Sequence, residues 1–239
     1  MPIQAVLFDM FDTLVLIEKN HEFYVPSLKK AHRVLVKNCV DAEFEVFHDA
    51  YIKARDALYV EADARLEEPH FNMRIANALK SLGYCFDVNS DAVAGATNAF
   101  CEGFLKYVRI DEHAESILEK LYGKYKLGIV SNLAIPECVD KLLEKHDLNK
   151  FFGVVVVSGA VNKRKPSPEI FEKALVKLGV SAENAVFVGD TVDADIEGAK
   201  SAGMKTVYIE RRPQKGLESA CPDHTIKSLV ELLAVLEVC

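Results

Sequence analysis

From residue 109 onwards, the sequence alternates short apolar runs rich in Val and Ile with segments of helical spacing. In the helical segments, apolar residues recur at three- and four-residue intervals. Neighbouring parallel strands need a crossover connection, usually a helix, and a sheet built in this way is buried on both faces. The alternation therefore predicts an α/β fold with a parallel sheet. Its predicted strands are residues 126–132, 153–158, 184–190 and 205–210.

One more apolar run, from Ile3 to Phe8, precedes this region and predicts the first strand of the same sheet. We interpret residues 1–17 and 109–239 as a Rossmann-like core domain, with helices on both faces of its sheet. Residues 18–108 are interpreted as an all-helical cap domain, inserted after the first strand. This interpretation depends on four segments of helical spacing with almost no strand signal between them, at 24–38, 43–63, 69–84 and 90–108.

Composition and charge exclude several classes of function. A net charge of −7 argues against a general nucleic-acid binder, since such a surface is normally basic. No apolar stretch approaches the roughly 20 residues that span a membrane, and we expect no signal peptide. The six cysteines have no Cys-x-x-Cys spacing, so we expect a reduced, cytoplasmic compartment in which most thiols are small apolar fillers. The expected partner is a small molecule, and the expected assembly is a monomer or a homodimer.

Polar side chains follow the predicted strands at their carboxyl ends. Asp9 follows the first strand, Ser131 and Asn132 end the second, and Asp190 ends the fourth, with Asp195 shortly after it. In a parallel α/β sheet, ligands bind at the edge where the carboxyl ends of the strands meet. A single residue of this kind is more often a helix cap or a turn former. Polar residues at equivalent positions on separate strands indicate a functional site.

Four segments resemble, in order and spacing, the four motifs of the haloacid dehalogenase superfamily. They are FDMFDTLV at residues 8–15, IVSN at 129–132, KRKPSPEIFEKAL at 163–175 and VFVGDTVDADIEGAKSAGM at 186–204. The resemblance covers essentially the whole chain, and the helical block lies where that family inserts its C1-type cap. It implies a hydrolase that uses a carboxylate nucleophile.

The resemblance also implies roles for individual residues. Asp9 matches the nucleophile, which attacks the substrate and forms a covalent ester or an acyl phosphate. Ser131 and Asn132 match the motif that hydrogen-bonds the transferring group. Lys165 matches the lysine that holds the nucleophile and the phosphate together. Lys163 is an alternative, but the Lys-Pro-x-Pro-Glu context favours Lys165.

The same resemblance makes Asp190 and Asp195 the acidic pair of the fourth motif, with Asp9 and the backbone carbonyl of Phe11 as further metal ligands. The charges also favour a metal. Three carboxylates at one sheet edge cannot all stay ionised without compensation, and Lys165 cancels only one charge. Mg²⁺ prefers oxygen ligands and suits a phosphate site, so we expect it as the cofactor.

Phe11 stands where phosphatases of this superfamily carry a second aspartate, which protonates the leaving alcohol. Such a group contributes about 10²- to 10⁴-fold to the rate, so we expect slow turnover or an activated leaving group such as an acyl phosphate. Asp12 is not expected to replace the missing acid, because alternate residues of an extended segment point to opposite faces. A turn hydrogen bond is expected for Asp12 instead.

The leading interpretation is a Mg²⁺-dependent phosphohydrolase that acts on a small phosphorylated metabolite through an aspartyl-phosphate intermediate. Two alternatives stay open. Dehalogenases of the superfamily carry an aromatic residue at the position of Phe11, so a 2-haloacid dehalogenase fits that position, although Asp190 and Asp195 depart from its pattern. The other alternative is a binding or regulatory protein with little catalysis.

One or two polar side chains of the cap are expected to reach the site and select the substrate, because closure of a cap completes such a pocket. The aromatic residues Phe44, Phe47 and Tyr51 recur at helical spacing and are expected in the core instead. Arg211 and Arg212 are expected to be surface residues only. The cap candidates are His48, Arg55, Arg65, His70 and Arg74.

Overall fold

The computed structural model describes residues 2–18, 22–211 and 221–238, and a parallel sheet forms its centre. The strands are β1 (Ala5–Phe8), β2 (Val15–Ile17), β3 (Val108–Ile110), β4 (Lys126–Ser131), β5 (Val154–Val157), β6 (Ala185–Gly189), β7 (Lys205–Ile209) and β8 (His224–Ile226). Six of them form the sheet, in the order β5-β4-β1-β6-β7-β8, and every neighbouring pair is parallel. The predicted α/β fold with a parallel sheet is confirmed.

The helices follow the spacing read from the sequence. Proline is the first residue of both α6 and α8. The first backbone N–H groups of a helix have no acceptor within it, so the N–H that proline lacks costs no hydrogen bond there. None of the described helices is both long enough and apolar enough to cross a membrane. The helices are α1 (Tyr24–Lys37), α2 (Phe44–Ala64), α3 (Phe71–Ser81), α4 (Asp91–Phe104), α5 (Ala114–Leu121), α6 (Pro136–Lys145), α7 (Ser158–Val161), α8 (Pro168–Leu178), α9 (Gly198–Ser201) and α10 (Leu232–Val238), with a π-helix at Val192–Glu197 and 3₁₀ turns at Leu105–Tyr107, Asn149–Phe151, Ala182–Asn184 and Leu229–Glu231.

Successive residues of the central strand β1 pack into different layers. Val6 and Phe8 belong to a large apolar cluster that also contains residues of α5, α6 and α10. Ala5 and Leu7 belong to a second cluster, with residues of α8 and α9. Since side chains alternate across a strand, this division shows that the sheet is covered by helices on both faces. β1 is therefore buried on both sides, which fixes the position of the residue that follows it.

Helices α1 to α4, called the cap helices below, pack against one another through apolar side chains. Phe47 and Tyr51 are fully buried among them, as predicted, whereas Phe44 is only partly buried and packs against the same cluster. Gly103 lets α4 approach α1 closely, because a Cβ at this position would lie 2.7 Å from the hydroxyl oxygen of Ser27. The antiparallel pair of β2 and β3 flanks the cap helices in sequence and was not predicted. The division of the chain at residues 18 and 108 stays a prediction.

The cysteines differ from the expectation of buried, unpaired fillers. Cys39, Cys85 and Cys221 are exposed, so the expectation is wrong for them. Cys101 of α4 and Cys138 of α6 are buried and paired with each other as a disulfide, with their Cα atoms 5.7 Å apart. This contact joins a cap helix to a helix of the sheet layer. Cys239 lies outside the described residues.

Candidate active site

Three carboxylates meet at the carboxyl edge of the sheet and are called the carboxylate cluster below. Asp9 follows β1, Asp190 follows the adjacent strand β6, and Asp195 lies in the π-helix that comes next. One oxygen of each lies within 4.8 Å of the others, and all three residues are buried. Because β1 and β6 are paired in register, their ends bring Asp9 and Asp190 side by side. The structure thus gathers the three acids that the sequence assigned to this edge.

Lys165 is the cation of this cluster. Its Nζ donates hydrogen bonds to Oδ1 of Asp9 at 2.5 Å and to Oδ1 of Asp195 at 2.6 Å. Burial disfavours the charged ammonium group and so lowers the pKa of Lys165. The carboxylates of Asp195 and Asp9 have the larger effect, and the pKa is raised. Burial also raises the pKa of Asp9 to about 7, against the opposing charge of Lys165. Lys163, the alternative considered from the sequence, instead donates to the backbone carbonyl of Arg65 at 2.9 Å.

Both carboxylate oxygens of Asp195 are already engaged. Oδ1 accepts from Lys165, and Oδ2 accepts the backbone N–H of Thr191 at 2.9 Å. Gly189, at the end of β6, makes room for this arrangement, since a Cβ there would lie 2.5 Å from the Asp195 carboxyl group. These contacts show that Asp195 holds Lys165 in place. Its role as a direct metal ligand stays a prediction.

Ser131 is the last residue of β4, which lies next to β1, and Asn132 follows it. The hydroxyl of Ser131 is fully buried and has no hydrogen-bond partner among the described residues. Burying a hydroxyl without a partner is costly, so this position suits an oxygen atom of a bound group. Asn132 accepts the backbone N–H of Lys165 at 2.8 Å and donates to its carbonyl at 3.0 Å. The asparagine side chain therefore positions Lys165, a contact that the sequence did not predict.

Phe11 and Asp12 line a cavity of about 280 Å³ together with the carboxylate cluster. The Phe11 ring packs against Phe104 of α4, with ring centroids 5.4 Å apart. Asp12 has a left-handed backbone conformation, with φ of 55°, and its Oδ1 accepts the backbone N–H of Ile17 at 3.0 Å. The predicted turn hydrogen bond of Asp12 is confirmed. The carbonyl of Phe11 as a metal ligand stays a prediction.

Similarity to known proteins identifies the family. The family model for haloacid dehalogenase-like hydrolases matches residues 66–209. A glyceraldehyde 3-phosphate phosphatase from Methanopyrus kandleri is 32% identical, over 98% of this chain and 97% of that protein. Another, from Pyrococcus furiosus, is 30% identical, over 98% of this chain and 93% of that protein. This chain belongs to the haloacid dehalogenase-like hydrolases.

Two solved structures share the fold of this hydrolase. A HAD phosphatase from Thermococcus onnurineus superposes with a TM-score of 0.63 at 25% identity, covering 98% of both chains. A 2-haloacid dehalogenase from Pseudomonas syringae pv. Tomato DC3000 superposes with a TM-score of 0.70 at 24% identity, again over 98% of both chains. The second likeness concerns the fold alone and does not favour dehalogenation.

A second cavity of the hydrolase, of about 540 Å³, lies between the cap helices and the loops that follow β4 and β5. We call it the cap cavity. Asn132 lines both cavities, so the cap cavity adjoins the carboxylate cluster. Arg55 and Arg74, two of the cap residues proposed to reach the substrate, line it. The other candidates, His48, Arg65 and His70, are not among its described lining residues.

The sequence did not reveal a buried acid in the cap cavity of the hydrolase. Glu68, in the loop before α3, accepts hydrogen bonds from the Tyr59 hydroxyl and from Nη2 of Arg74, the latter at 3.2 Å. Burial raises the pKa of Glu68, although Arg74 and Arg164 act in the opposite direction. In the sequence, Glu68 follows another glutamate and precedes a proline, a pattern typical of an exposed loop. Only the tertiary structure supplies its partners.

The expectation that Arg211 is only a surface residue is wrong. Its Nη2 lies 2.8 Å from Oδ2 of Asp111 and donates to the backbone carbonyl of Thr13, also at 2.8 Å. Its Nε donates to the carbonyl of Asp12 at 3.2 Å. Arg211 therefore ties the loop after β1 to the end of β3 in this hydrolase. Arg212 lies outside the described residues.

Proposed function

We propose that this hydrolase is a Mg²⁺-dependent phosphohydrolase that acts on small phosphate monoesters through an aspartyl-phosphate intermediate on Asp9. The main support is the carboxylate cluster with its buried lysine at the edge of the sheet. The relatives named as glyceraldehyde 3-phosphate phosphatases support the reaction class. That triose phosphate therefore serves as the reference ester in the test panel.

Mg²⁺ fits the donor set of this site. Three carboxylates and one lysine leave two negative charges in a buried place, and one divalent cation balances them. Asp9, Asp190 and the backbone carbonyl of Phe11 would hold the ion, with Asp195, which also accepts from Lys165, as the fourth ligand. Bound there, the ion supplies positive charge that lowers the repulsion between the nucleophile and an incoming phosphate.

In the proposed reaction, Asp9 acts as the nucleophile. Its carboxylate oxygen attacks phosphorus, and the bond from phosphorus to the ester oxygen breaks as the new bond forms. The ester oxygen leaves with the electron pair and takes up a proton. Lys165 keeps the Asp9 oxygen in position, and the buried hydroxyl of Ser131 donates to a phosphate oxygen. Water then attacks the acyl phosphate, which releases inorganic phosphate and restores the Asp9 carboxylate.

Phe11 sets the expected speed of this reaction. No acidic hydrogen is available from its ring, so water must supply the proton that the leaving alcohol needs. The missing acid is worth about 10²- to 10⁴-fold in rate, so esters of ordinary alcohols should react slowly. Acyl phosphates should react faster, because their leaving carboxylate needs no proton.

Phosphate release from a panel of monoesters, measured with Mg²⁺ and after addition of EDTA, tests the proposal. We expect release that requires Mg²⁺ and that disappears in Asp9→Asn. Asp193→Asn is the matched control, since Asp193 belongs to the same motif as Asp190 but is exposed and accepts the backbone N–H of Ala194 at 2.9 Å. This control should keep full activity.

Two results would overturn the proposal. Halide release from 2-haloacids that is indifferent to EDTA would identify a dehalogenase, the alternative that the aromatic ring of Phe11 favours. Ligand-induced stabilisation without turnover of any ester in the panel would identify a binding protein.

A further inference from the structure

The cap cavity has an aromatic wall. The rings of Phe71 and Phe100 lie 4.5 Å apart, and those of Tyr24 and Phe100 lie 5.3 Å apart, so neighbouring rings form one surface. Aromatic surfaces of this kind bind flat or apolar groups, with a few polar atoms fixing their orientation. The six aromatic lining residues are Phe23, Tyr24, Tyr59, Phe71, Phe100 and Phe104.

The charged side chains of the cap cavity are paired with one another. Each of its three described arginines lies close to a carboxylate of the same wall, so the described wall carries no net charge. A second anionic group on a substrate would therefore meet cations that are already neutralised, together with three carboxylates. The pairs are Arg74 with Glu68 at 3.2 Å, Arg164 with Asp63 at 2.5 Å and Arg55 with Asp56 at 2.7 Å.

Two of these guanidinium groups also contact an aromatic ring. Cζ of Arg74 lies 5.0 Å from the centroid of the Tyr59 ring, and Cζ of Arg164 lies 5.4 Å from it. Such contacts further reduce the attraction that these cations offer to an anion. Nε of Arg74 is buried without a hydrogen-bond partner among the described residues, which leaves one donor for a neutral oxygen atom.

We infer that the cap cavity selects a phosphate ester whose alcohol is uncharged, carries a ring or another flat apolar group, and is larger than three carbons. The cavity volume of about 540 Å³ lies in the range of pockets that hold drug-sized ligands, so a three-carbon alcohol would fill a small part of it. Asn132 connects this cavity to the carboxylate cluster. The inference rests on the proposed function, because it names the alcohol part of that substrate.

Binding of phosphonates tests the cavity without turnover, since a carbon atom replaces the ester oxygen. The probes are the phosphonates that match the phenylethyl, para-carboxyphenylethyl and propyl esters, namely 3-phenylpropylphosphonate, its para-carboxylate and butylphosphonate. Each is titrated calorimetrically into the Mg²⁺-loaded protein. We expect the phenylpropyl compound to bind at least about tenfold more tightly than either of the others. Equal affinities, or a preference for the butyl or the carboxylated compound, would overturn the inference.

Glu68→Gln tests the contribution of paired charges. This change leaves Arg74 without its counter-charge but keeps an oxygen atom that accepts from Tyr59. We expect the affinity for the para-carboxylate to rise by about tenfold. Glu61→Gln, an exposed change on α2, is the control and should bind all three probes as the wild type does. If Glu68→Gln does not fold, Asp63→Asn tests the same idea through Arg164.

Phosphate release from the corresponding esters separates this inference from the proposed function. Selective binding of the phenylpropyl compound without phosphate release from any ester would support the cavity inference and overturn the proposed reaction. Phosphate release at equal kcat/KM from phenylethyl, propyl and carboxylated esters would support the proposed reaction and overturn the cavity inference.

Discussion

At the scale of single residues, we expect Phe11 to be the position that most limits proton transfer in the proposed reaction. Phe11→Asp places a carboxylic acid where the leaving oxygen needs a proton, so kcat for phosphate monoesters should rise by about 10²-fold. The variant loses the ring contact with Phe104, which costs about 1 kcal/mol of stability, so phosphate release is measured well below the unfolding temperature. Phe11→Asn introduces a side chain of the same shape as aspartate but without an acidic proton. This variant should therefore show no gain in kcat. A rise in both variants, or in neither, would contradict this explanation.

Lys165 is the second residue with a distinct expected effect. Lys165→Met keeps the length of the side chain but removes the charge that Asp9 and Asp195 share. We expect kcat to fall by about 10²- to 10³-fold, as for loss of a preorganised donor, and the activity profile to move to higher pH because the pKa of Asp9 rises further. Lys163→Met is the control, since Lys163 contacts Glu169 at 3.4 Å, outside the cluster. Similar losses in both variants would indicate a general effect of the loop.

At the scale of secondary-structure elements, Arg211 couples the loop after β1 to β3. Arg211→Met leaves the buried carboxylate of Asp111 unpaired, so the free energy of unfolding in urea should fall by about 3 kcal/mol. Two backbone carbonyls shortly after Asp9 also lose their donor, so kcat should fall more than KM changes. Arg109→Met removes an exposed pair with Glu18 at 3.3 Å and should cost less than about 1 kcal/mol. Equal losses of stability would show that Arg211 acts as an ordinary surface residue.

The sheet was largely predictable from sequence because its long strands are buried on both faces. Such strands read as continuous apolar runs, as in β1, β5 and β6, and β4 and β7 contain apolar runs after a polar first residue. The three-residue strands β2, β3 and β8 were missed, since their length gives no periodicity. Their pairing depends on the position of the sheet and the cap helices, which a local pattern does not contain.

The site was predictable in part for a similar reason. Asp9 and Asp190 follow strands, and the geometry of a parallel sheet brings strand ends together. The contacts of Glu68 with Tyr59 and Arg74, and those of Arg211 with Asp111, join segments with no common pattern in sequence. Residues of this kind acquire their role only when the cap helices and the loops of the sheet meet.

At the scale of the whole molecule, we expect cation binding and folding to be coupled through the carboxylate cluster. Segments far apart in sequence bring Asp9, Lys165 and Asp190 to one edge, so the excess negative charge exists only in the folded chain. A cation that binds there stabilises the fold by mass action, by about 2.7 kcal/mol at a concentration one hundred times its Kd. Without the cation, the folded protein can reduce the same charge by taking up a proton.

This proton uptake predicts how stability depends on pH. Burial raises the pKa of Asp9 from 3.8 to about 7, so between these values the folded protein holds a proton that the unfolded chain has lost. In EDTA, the stability that this proton contributes is complete below about pH 4 and is lost as the pH rises through 7. At saturating Mg²⁺, this loss of stability with rising pH should disappear, because the bound ion balances the negative charge that the proton on Asp9 otherwise removes. Urea unfolding of the wild type and Asp9→Asn across this range isolates the effect from other buried acids such as Glu68. Parallel pH curves for the two proteins in EDTA would show that Asp9 stays ionised and that the cluster tolerates its charge without a cation.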